Sequence, residues 1–423
     1  MRNRYFWLFA ISLILASGVS FLGVQQNEHL FSSVDNKDNE HDLVSINNFF
    51  AFDLYQSLQG TGENRIFSPF SVLLSLGMAY AGARGETEQQ MANMLRFKMP
   101  QASLHAAVKE YLHELAARDK SEAELYIVNA LWLQVGYTLL EDFLKTLAMD
   151  YGVEPRYLDF AHQSEPSRQE INKWISEKTR GKIENLIPPG GITSLTRFVL
   201  TNAAYLKAAW RFPFHEEDTY DGDFYLLNGQ TVKVAMMCQL APFKYSKLSE
   251  VQAILLPYEG KGLAMLVLLP KFEMFEQFEK KLDRQFFTEI LKSLSLTMVH
   301  LEMPKFTFEW GTYSLVNPLR RMGMQDAFDP CLADFSGMNG VWCKSTPEKC
   351  LYIGDVLHKA FISVDEKGTE AAAATAIFIL IGALGPEEEG IVVMKMNRPF
   401  IFAILDEQTG MILFLGRVLN PLT

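Results

Sequence analysis

Residues 365–390 read DEKGTEAAAATAIFILIGALGPEEEG. The stretch opens on charge, turns at Gly368, and runs through Ala371, Ala372, Ala373 and Ala374. It then climbs into Thr375, Ala376, Ile377, Phe378, Ile379, Leu380 and Ile381, and closes on Gly382, Ala383, Leu384, Gly385, Pro386 and three glutamates. In an extended chain successive side chains face opposite ways. One face then carries Thr369, Ala371, Ala373, Thr375, Ile377, Ile379 and Ile381; the other carries Glu370, Ala372, Ala374, Ala376, Phe378 and Leu380. The first face is small near Gly368, β-branched beyond it and free of charge, so it fits a strand buried in a sheet. The alanine run fits a helix equally well. On pattern alone, an ordinary buried element, an apolar insert and a segment that switches between loop and strand all stay open.

The flanking sequence sets the context. After this stretch come short apolar runs at Ile391–Met394, Phe400–Leu405 and Met411–Leu415; before it, Met298–Met303 and Tyr352–Val364 read as strands. Further strand-like runs are Leu125–Val128, Phe198–Leu200, Val232–Cys238, Ala253–Leu255 and Ala264–Leu269. Helical spacing dominates the first part of the chain. Ile46, Phe49, Phe50, Leu54 and Leu58 recur on one face, and Ser68-Pro69 supplies an N-cap followed by proline at the first helical position. Thr87 and Gln90 read as a capping box, residues 104–117 as a helix, Glu170–Thr179 as a helix stopped by Gly181, and 274–293 as two short helices. No internal repeat and no flexible linker interrupts the interior. Helices first and strands later, mixed in one span, predict a single α+β domain over 43–423 with large, mostly antiparallel sheets.

The chain has 423 residues, 48% of them apolar, and a formal net charge of −11. An acidic balance argues against a nucleic-acid partner, which needs basic surface to displace counterions. Residues 1–24 carry Arg2 and Arg4 before an apolar run, with Ala16-Ser17-Gly18 as a cleavage candidate. The apolar run extends to Val24, so both an export signal and an uncleaved membrane anchor fit. Residues 25–42 are polar and read as a tether. The expected location is secreted or periplasmic, or held at a membrane through the N-terminus. With export, disulfides are permitted, and Cys343 with Cys350 is the best pair among four cysteines; two free thiols are the alternative. Cys238, in an apolar run, reads as a core thiol. No zinc-like ligand spacing and no cofactor motif appears.

Several further stretches carry a family resemblance. They are Asn64-Arg65-Ile66-Phe67-Ser68-Pro69, Ala81-Gly82-Ala83-Arg84-Gly85, and Thr201-Asn202-Ala203-Ala204-Tyr205-Leu206-Lys207 followed by Trp210. Met303-Pro304-Lys305-Phe306, His358-Lys359-Ala360-Phe361, Asn397-Arg398-Pro399-Phe400 and Phe414-Leu415-Gly416-Arg417-Val418-Leu419-Asn420-Pro421 complete the set. In this order, over nearly all of 43–423, the chain resembles a serpin, and Asp365 to Thr375 resembles the hinge of that family's reactive-centre loop.

The resemblance implies the serpin fold, with an exposed loop at about 366–390, and a mechanical function. A serine protease attacks the loop and forms an acyl-enzyme; the loop then inserts into the central sheet and traps the enzyme covalently. It assigns Glu366, Lys367, Gly368, Thr369, Glu370, Ala371, Ala372, Ala373, Ala374 and Thr375 to the hinge. Small, uncharged residues at Thr369, Ala371 and Ala373 suit rapid insertion. Sixteen positions after Glu366 the scissile bond falls at Gly382-Ala383, with Ile381 and Leu384 as alternative sites. None of these is basic, so elastase-like or subtilisin-like targets fit, and a chymotrypsin-like one fits if cleavage follows Leu384; a trypsin-like pocket carries a carboxylate with nothing to hold. Glu387, Glu388 and Glu389 either steer a basic protease surface or keep an apolar loop soluble. Ser68, Ser71, Asn202 and His358 map to a cluster under the middle of the main sheet that controls its opening, and Trp210 to the place where the hinge goes in. Residues 340–350 look like an insertion relative to the family, either a stapled surface loop or an exosite showing Trp342.

The competing classes are an enzyme, a non-inhibitory serpin with a binding or chaperone role, and a cross-class inhibitor of cysteine proteases. No nucleophile elbow, phosphate loop or H-E-x-x-H motif occurs, so no catalytic residue and no metal ligand is assigned. The hinge lacks the bulk or charge that marks non-inhibitory relatives. The expected partner is a target protease, the expected state a monomer, and no cofactor is expected.

Overall fold

The computed structural model describes residues 42–58, 60, 62–118, 123–260, 262–346, 349–369 and 390–423. The proposed signal and all but the last residue of the tether, hinge residues Glu370 to Thr375, and the bond candidates Ile381, Gly382, Ala383 and Leu384 lie outside the described residues.

Helix α1 (Leu43–Ser57) starts at Asp42, whose side chain accepts a hydrogen bond from the Ser45 N–H at 2.8 Å. A short strand β1 (Arg65–Phe67) leads to helix α2 (Pro69–Gly82). Ser68 caps α2 by accepting from the Ser71 N–H, and Pro69 occupies the first helical position, where a missing N–H costs nothing. Every residue of α2 is buried, which is the pattern of a helix surrounded by protein rather than lying on a surface. Helices α3 (Gly85–Met94) and α4 (Gln101–Ala117) follow. The capping box expected at Thr87 and Gln90 does not form. The cap position is Arg84, whose side chain makes no capping hydrogen bond and donates instead to the Ala81 and Ala83 carbonyls. Thr87 is buried and its hydroxyl accepts from the Asp334 N–H, while the Gln90 side-chain Oε1 accepts from the Gln325 and Asp326 N–H groups. Long-range partners outcompeted the local motif.

Next come strand β2 (Ala123–Gln134), helix α5 (Glu141–Thr146) with a π-helical turn at Leu147–Tyr151, strand β3 (Arg156–Leu158), helix α6 (Ser164–Lys178) and strand β4 (Phe198–Ala209). Strands β5 (Tyr220–Tyr225), β6 (Thr231–Lys247), β7 (Val251–Pro257) and β8 (Leu263–Pro270) precede helices α7 (Phe275–Lys281) and α8 (Arg284–Ser293). Strands β9 (Ser295–Pro304) and β10 (Phe306–Ser314) follow, then short helices α9 (Val316–Arg321) and α10 (Ser336–Asn339). The chain closes with β11 (Asp355–Val364), β12 (Gly368–Thr369), β13 (Ile391–Lys395), β14 (Phe400–Asp406) and β15 (Ile412–Val418).

Among the described residues these strands form two sheets. A nine-stranded sheet runs β1-β15-β14-β8-β7-β6-β9-β13, with β5 added against β6. A six-stranded sheet runs β10-β11-β12-β4-β2-β3, in which β11 also pairs directly with β4. That pair is parallel, from Asp355 opposite Val199 to Phe361 opposite Tyr205. Parallel strands of this kind are covered on both faces, and β4 is buried at every position but Lys207. One face meets α2; the other carries a second core of Trp132, Phe160, Ile171, Ile175, Val199 and Leu357 beneath α6.

Cys343 and Cys350 are joined by a disulfide, both buried, with Cα atoms 4.6 Å apart. Trp342 is exposed, with the Lys344 ammonium 5.2 Å from its ring. Cys238 is not a core thiol. It lies half-buried on β6 with its sulfur 3.0 Å from His300 Nε2, because its neighbours in the period-two pattern, Met237 and Gln239, take the inward positions.

Candidate functional site

The site is the seam between β4 and β11. Its upper end is occupied by β12, the only part of the hinge beyond Lys367 among the described residues. Gly368 pairs with Ala209, and Thr369 pairs with Ala208 on one side and Val364 on the other. Thus two residues of the stretch quoted at the outset already sit as a strand between β11 and β4.

Local chemistry explains this seat. Asp365 folds its carboxylate back onto the Lys367 and Gly368 N–H groups, which turns the chain after β11. Gly368 has φ +152°, a conformation suited to glycine alone, and an added Cβ would collide with the Ala208 carbonyl and approach Ala209 Cα to 2.7 Å. Thr369 is 1% exposed and its hydroxyl pairs with the Tyr258 hydroxyl at 2.7 Å. Tyr258 stacks on Trp210, ring centroids 4.5 Å apart and planes 8° from parallel. Trp210 donates its indole N–H to the Asp365 carbonyl at 3.0 Å and its backbone N–H to the Lys367 carbonyl at 2.9 Å. Trp210 therefore holds the turn as well as packing beneath it.

Glu366 fixes the turn from the other side. Its carboxylate accepts from Lys305 Nζ at 2.7 Å and from the Thr219 hydroxyl at 2.7 Å, and its carbonyl accepts from the Phe214 N–H. Burial pushes this carboxyl up, but the hydrogen bonds from Lys305 and Thr219 outweigh it and hold the acid below its ordinary value. Lys367 points outward toward Glu216 at 3.5 Å, an exposed pair worth little.

Lower on the seam, Asn202 of β4 stands opposite His358 of β11. Ser68, Ser71, Asn202 and His358 are all fully buried and directly linked. The Ser68 N–H donates to His358 Nε2 at 3.2 Å, so that nitrogen is unprotonated. His358 Nδ1 then donates to Asn202 Oδ1. The Asn202 amide donates to Ser71 Oγ at 2.6 Å, to Asn129 Oδ1 at 2.6 Å and to Ser75 Oγ at 3.2 Å. Asn129, on β2, also donates to the Ser71 carbonyl. Asn129, Ser75, Tyr258 and Thr219 were not picked out from the sequence, and Lys305 stood there only within a family stretch, with no role. Asn129 had a signal: it is the one polar residue on the face of β2 that otherwise carries Ala123, Leu125, Ile127, Leu131 and Leu133.

The seam has a pH dependence. Burial lowers the His358 imidazole from 6.5 to about 3, and burial lowers His105, bonded to the Tyr151 hydroxyl, from 6.5 to about 4. Below pH 6.5 the unfolded chain binds protons that the folded chain refuses, so stability falls as pH falls through that range. At pH 5 the His358 contribution is a loss of about 2 kcal/mol relative to neutral pH. Urea midpoints measured at pH 7.5 and pH 5 are expected to differ accordingly, and His358→Asn is expected to remove about half of the difference, His105 supplying the rest. An unchanged pH slope in that variant would exclude His358 as the group responsible.

Comparison with known proteins places this geometry. The serpin (serine protease inhibitor) family model matches residues 45–421. An uncharacterized serpin-like protein of Thermococcus kodakarensis is 42% identical over 90% of this chain and 86% of its own length. Leukocyte elastase inhibitor A of Mus musculus is 37% identical over 90% of this chain and 99% of its own. Among solved structures, the thermophilic serpin tengpin in its native state superposes with a TM-score of 0.80 at 29% identity, covering 91% of this chain and 95% of that one. The matching family is described as one of serine protease inhibitors rather than of proteases. The chain belongs to the serpin family.

Proposed function

We propose that this chain is a suicide inhibitor of serine proteases. In this reading the protease serine Oγ attacks the carbonyl carbon of Gly382. The peptide C–N bond breaks, the Ala383 amine leaves with the proton, and an ester joins Gly382 to the enzyme. Cleavage frees the hinge, residues beyond Thr369 continue β12 down the seam between β4 and β11, and the acyl-enzyme travels with them before water attacks the ester. The observation that carries the reading is β12 itself: Gly368 and Thr369 stand as the first rungs of the strand the mechanism needs. Similarity to an elastase inhibitor along nearly its whole length supports an elastase-like target, and uncharged residues around the bond fit elastase-like, subtilisin-like or chymotrypsin-like pockets.

The test is to mix the full chain with pancreatic-type elastase, subtilisin, chymotrypsin and trypsin. Denaturing electrophoresis and mass spectrometry of the released peptide give the readout. A denaturant-stable complex with a peptide beginning at Ala383 is the expected result; a start at Gly382 or Gly385 moves the bond to Ile381 or Leu384. Clean cleavage by every protease with no complex would overturn the inhibitory reading in favour of a binding role. The same reading puts the inhibitor, as a monomer, outside the cytoplasm, consistent with its disulfide. N-terminal sequencing of protein from the native source decides between a cleaved signal, starting at Val19, and an intact anchor.

A further inference from the structure

Away from the seam, α2, α4, β2 and α6 line an open trough of about 500 Å³, a size that suits a small-molecule ligand. Its apolar lining is Leu74, Met78, Leu112, Ile127 and Val153. A neighbouring trough of about 340 Å³ shares Leu112 and Ile127 with it and is lined further by Leu115, Ala116 and Leu125, so an apolar chain too long for the first space has a continuation.

One wall is different. Arg156 and Lys178 line the trough, and neither side chain makes a hydrogen bond or ion pair among the described residues. Both are drawn instead to the Trp174 ring, the guanidinium at 4.7 Å and the ammonium at 6.0 Å from its centroid. The Trp174 indole N–H is buried and meets no acceptor. Buried donors in folded proteins are nearly always satisfied, so an orphan asks for an explanation. Glu154 is also on the lining and is paired with neither cation. Arg156, Lys178 and Trp174 thus line one trough, two of them charged and all three donors without a hydrogen-bond partner among the described residues. A carboxylate is the group that answers a guanidinium, an ammonium and an N–H at once.

We propose that this trough binds an amphiphilic carboxylate, its head held by Arg156, Lys178 and the Trp174 indole N–H and its tail laid along Leu112 and Ile127. Asn129, which hydrogen-bonds Ser71 and Asn202, lies on the same lining. An occupant therefore touches β2 at the level of the buried cluster and stabilises the native form by mass action. The proposal does not depend on the inhibitory reading.

The test uses the purified full chain titrated with laurate below its micelle concentration, with dodecanol and dodecyltrimethylammonium as probes of the same tail. Isothermal calorimetry and tryptophan fluorescence report binding. One laurate per chain, saturable, with the alcohol and the cation at least about tenfold weaker, is the expected result. Arg156→Ala and Lys178→Ala are expected to weaken laurate about fivefold or more each, with unliganded unfolding measured in parallel so that the lost contact to the Trp174 ring is separated from lost binding. Ile127→Trp, which fills the trough, is expected to abolish binding; because it alters a packed strand, the two cation variants decide. Absence of saturable laurate binding, equal binding of the three probes, or unchanged affinity in the Arg156→Ala, Lys178→Ala double variant would each overturn the site.

Discussion

Thr369→Arg is expected to convert the protein from an inhibitor into a substrate. Thr369 is 1% exposed, flanked by Ala208 and Val364, with its hydroxyl on Tyr258. No acid is paired with it there, so an arginine must either carry an unpaired charge into the sheet or hold the hinge out of it. Burying an unpaired charge costs several kcal/mol. A barrier raised by about 3 kcal/mol slows insertion roughly a hundredfold. Deacylation of the protease is unaffected by the substitution, so it wins the race and the chain is cleaved and released. The measurement is the number of inhibitor molecules consumed per protease inactivated, read from titration and from the complex band on denaturing gels. An increase of about tenfold or more, with cleavage continuing, is expected. Thr369→Ser, which keeps a small side chain and the hydroxyl facing Tyr258, is expected to trap protease as the parent does. Unchanged stoichiometry in the arginine variant would end the insertion account.

The residues that this experiment touches show how much of the site was legible beforehand. The hinge could be read because its chemistry is contiguous: a turn glycine followed by small residues is a local pattern. The helix cap at Ser68 and Pro69 was legible for the same reason. What holds the hinge was not. Tyr258, Lys305 and Thr219 come from three separate segments, and only the fold brings the Lys305 ammonium to Glu366 and the Tyr258 hydroxyl to Thr369. Likewise the Thr87 hydroxyl had two competing uses, a local cap and the distant Asp334 N–H, and periodicity cannot weigh them. Strand β10 went unread although its pattern is plain, with Phe306, Phe308 and Trp310 buried and Thr307, Glu309 and Gly311 exposed. It pairs with β11 and forms the far side of the seam from β4. Strand β5 has a weaker signal, since two aspartates and a glycine break its apolar content. Burial on both faces also hides strand periodicity in β4, where alternation gives way to a continuous run.

Asn202→Ala is expected to have the second large effect, and it tests the seam from its middle. The amide meets four groups at once: its two N–H donors are shared among Ser71, Asn129 and, at the longest distance, Ser75, and its oxygen accepts from His358 Nδ1. Alanine leaves those partners buried without it, and the His358 N–H has no other acceptor in the network. Losing one partner from a buried hydrogen-bonded set costs more than the net worth of the bonds, here about 2–4 kcal/mol. For a chain of this size that lowers the thermal midpoint by about 3–5 °C, and the denaturant midpoint falls in step. His358→Ala removes the same cross-strand bond from the other side, so the double variant is expected to be less destabilised than the sum by about 1 kcal/mol or more. Strict additivity would mean that the two side chains are not coupled. The direction of the functional change follows from where the cost falls. Asn202 and His358 face each other on β4 and β11, within the stretch that the proposed mechanism requires to part for a new strand. Their hydrogen bond belongs to the closed seam, and opening breaks it in the parent protein. The variant has already lost that bond, so the step from closed to open is smaller. Faster trapping of protease, or faster spontaneous conversion to a heat-resistant inserted form at 37 °C, is therefore expected alongside lower native stability. A variant that is less stable yet no quicker by either measure would place the opening barrier elsewhere, at the β12 seat held by Trp210, Tyr258 and Glu366.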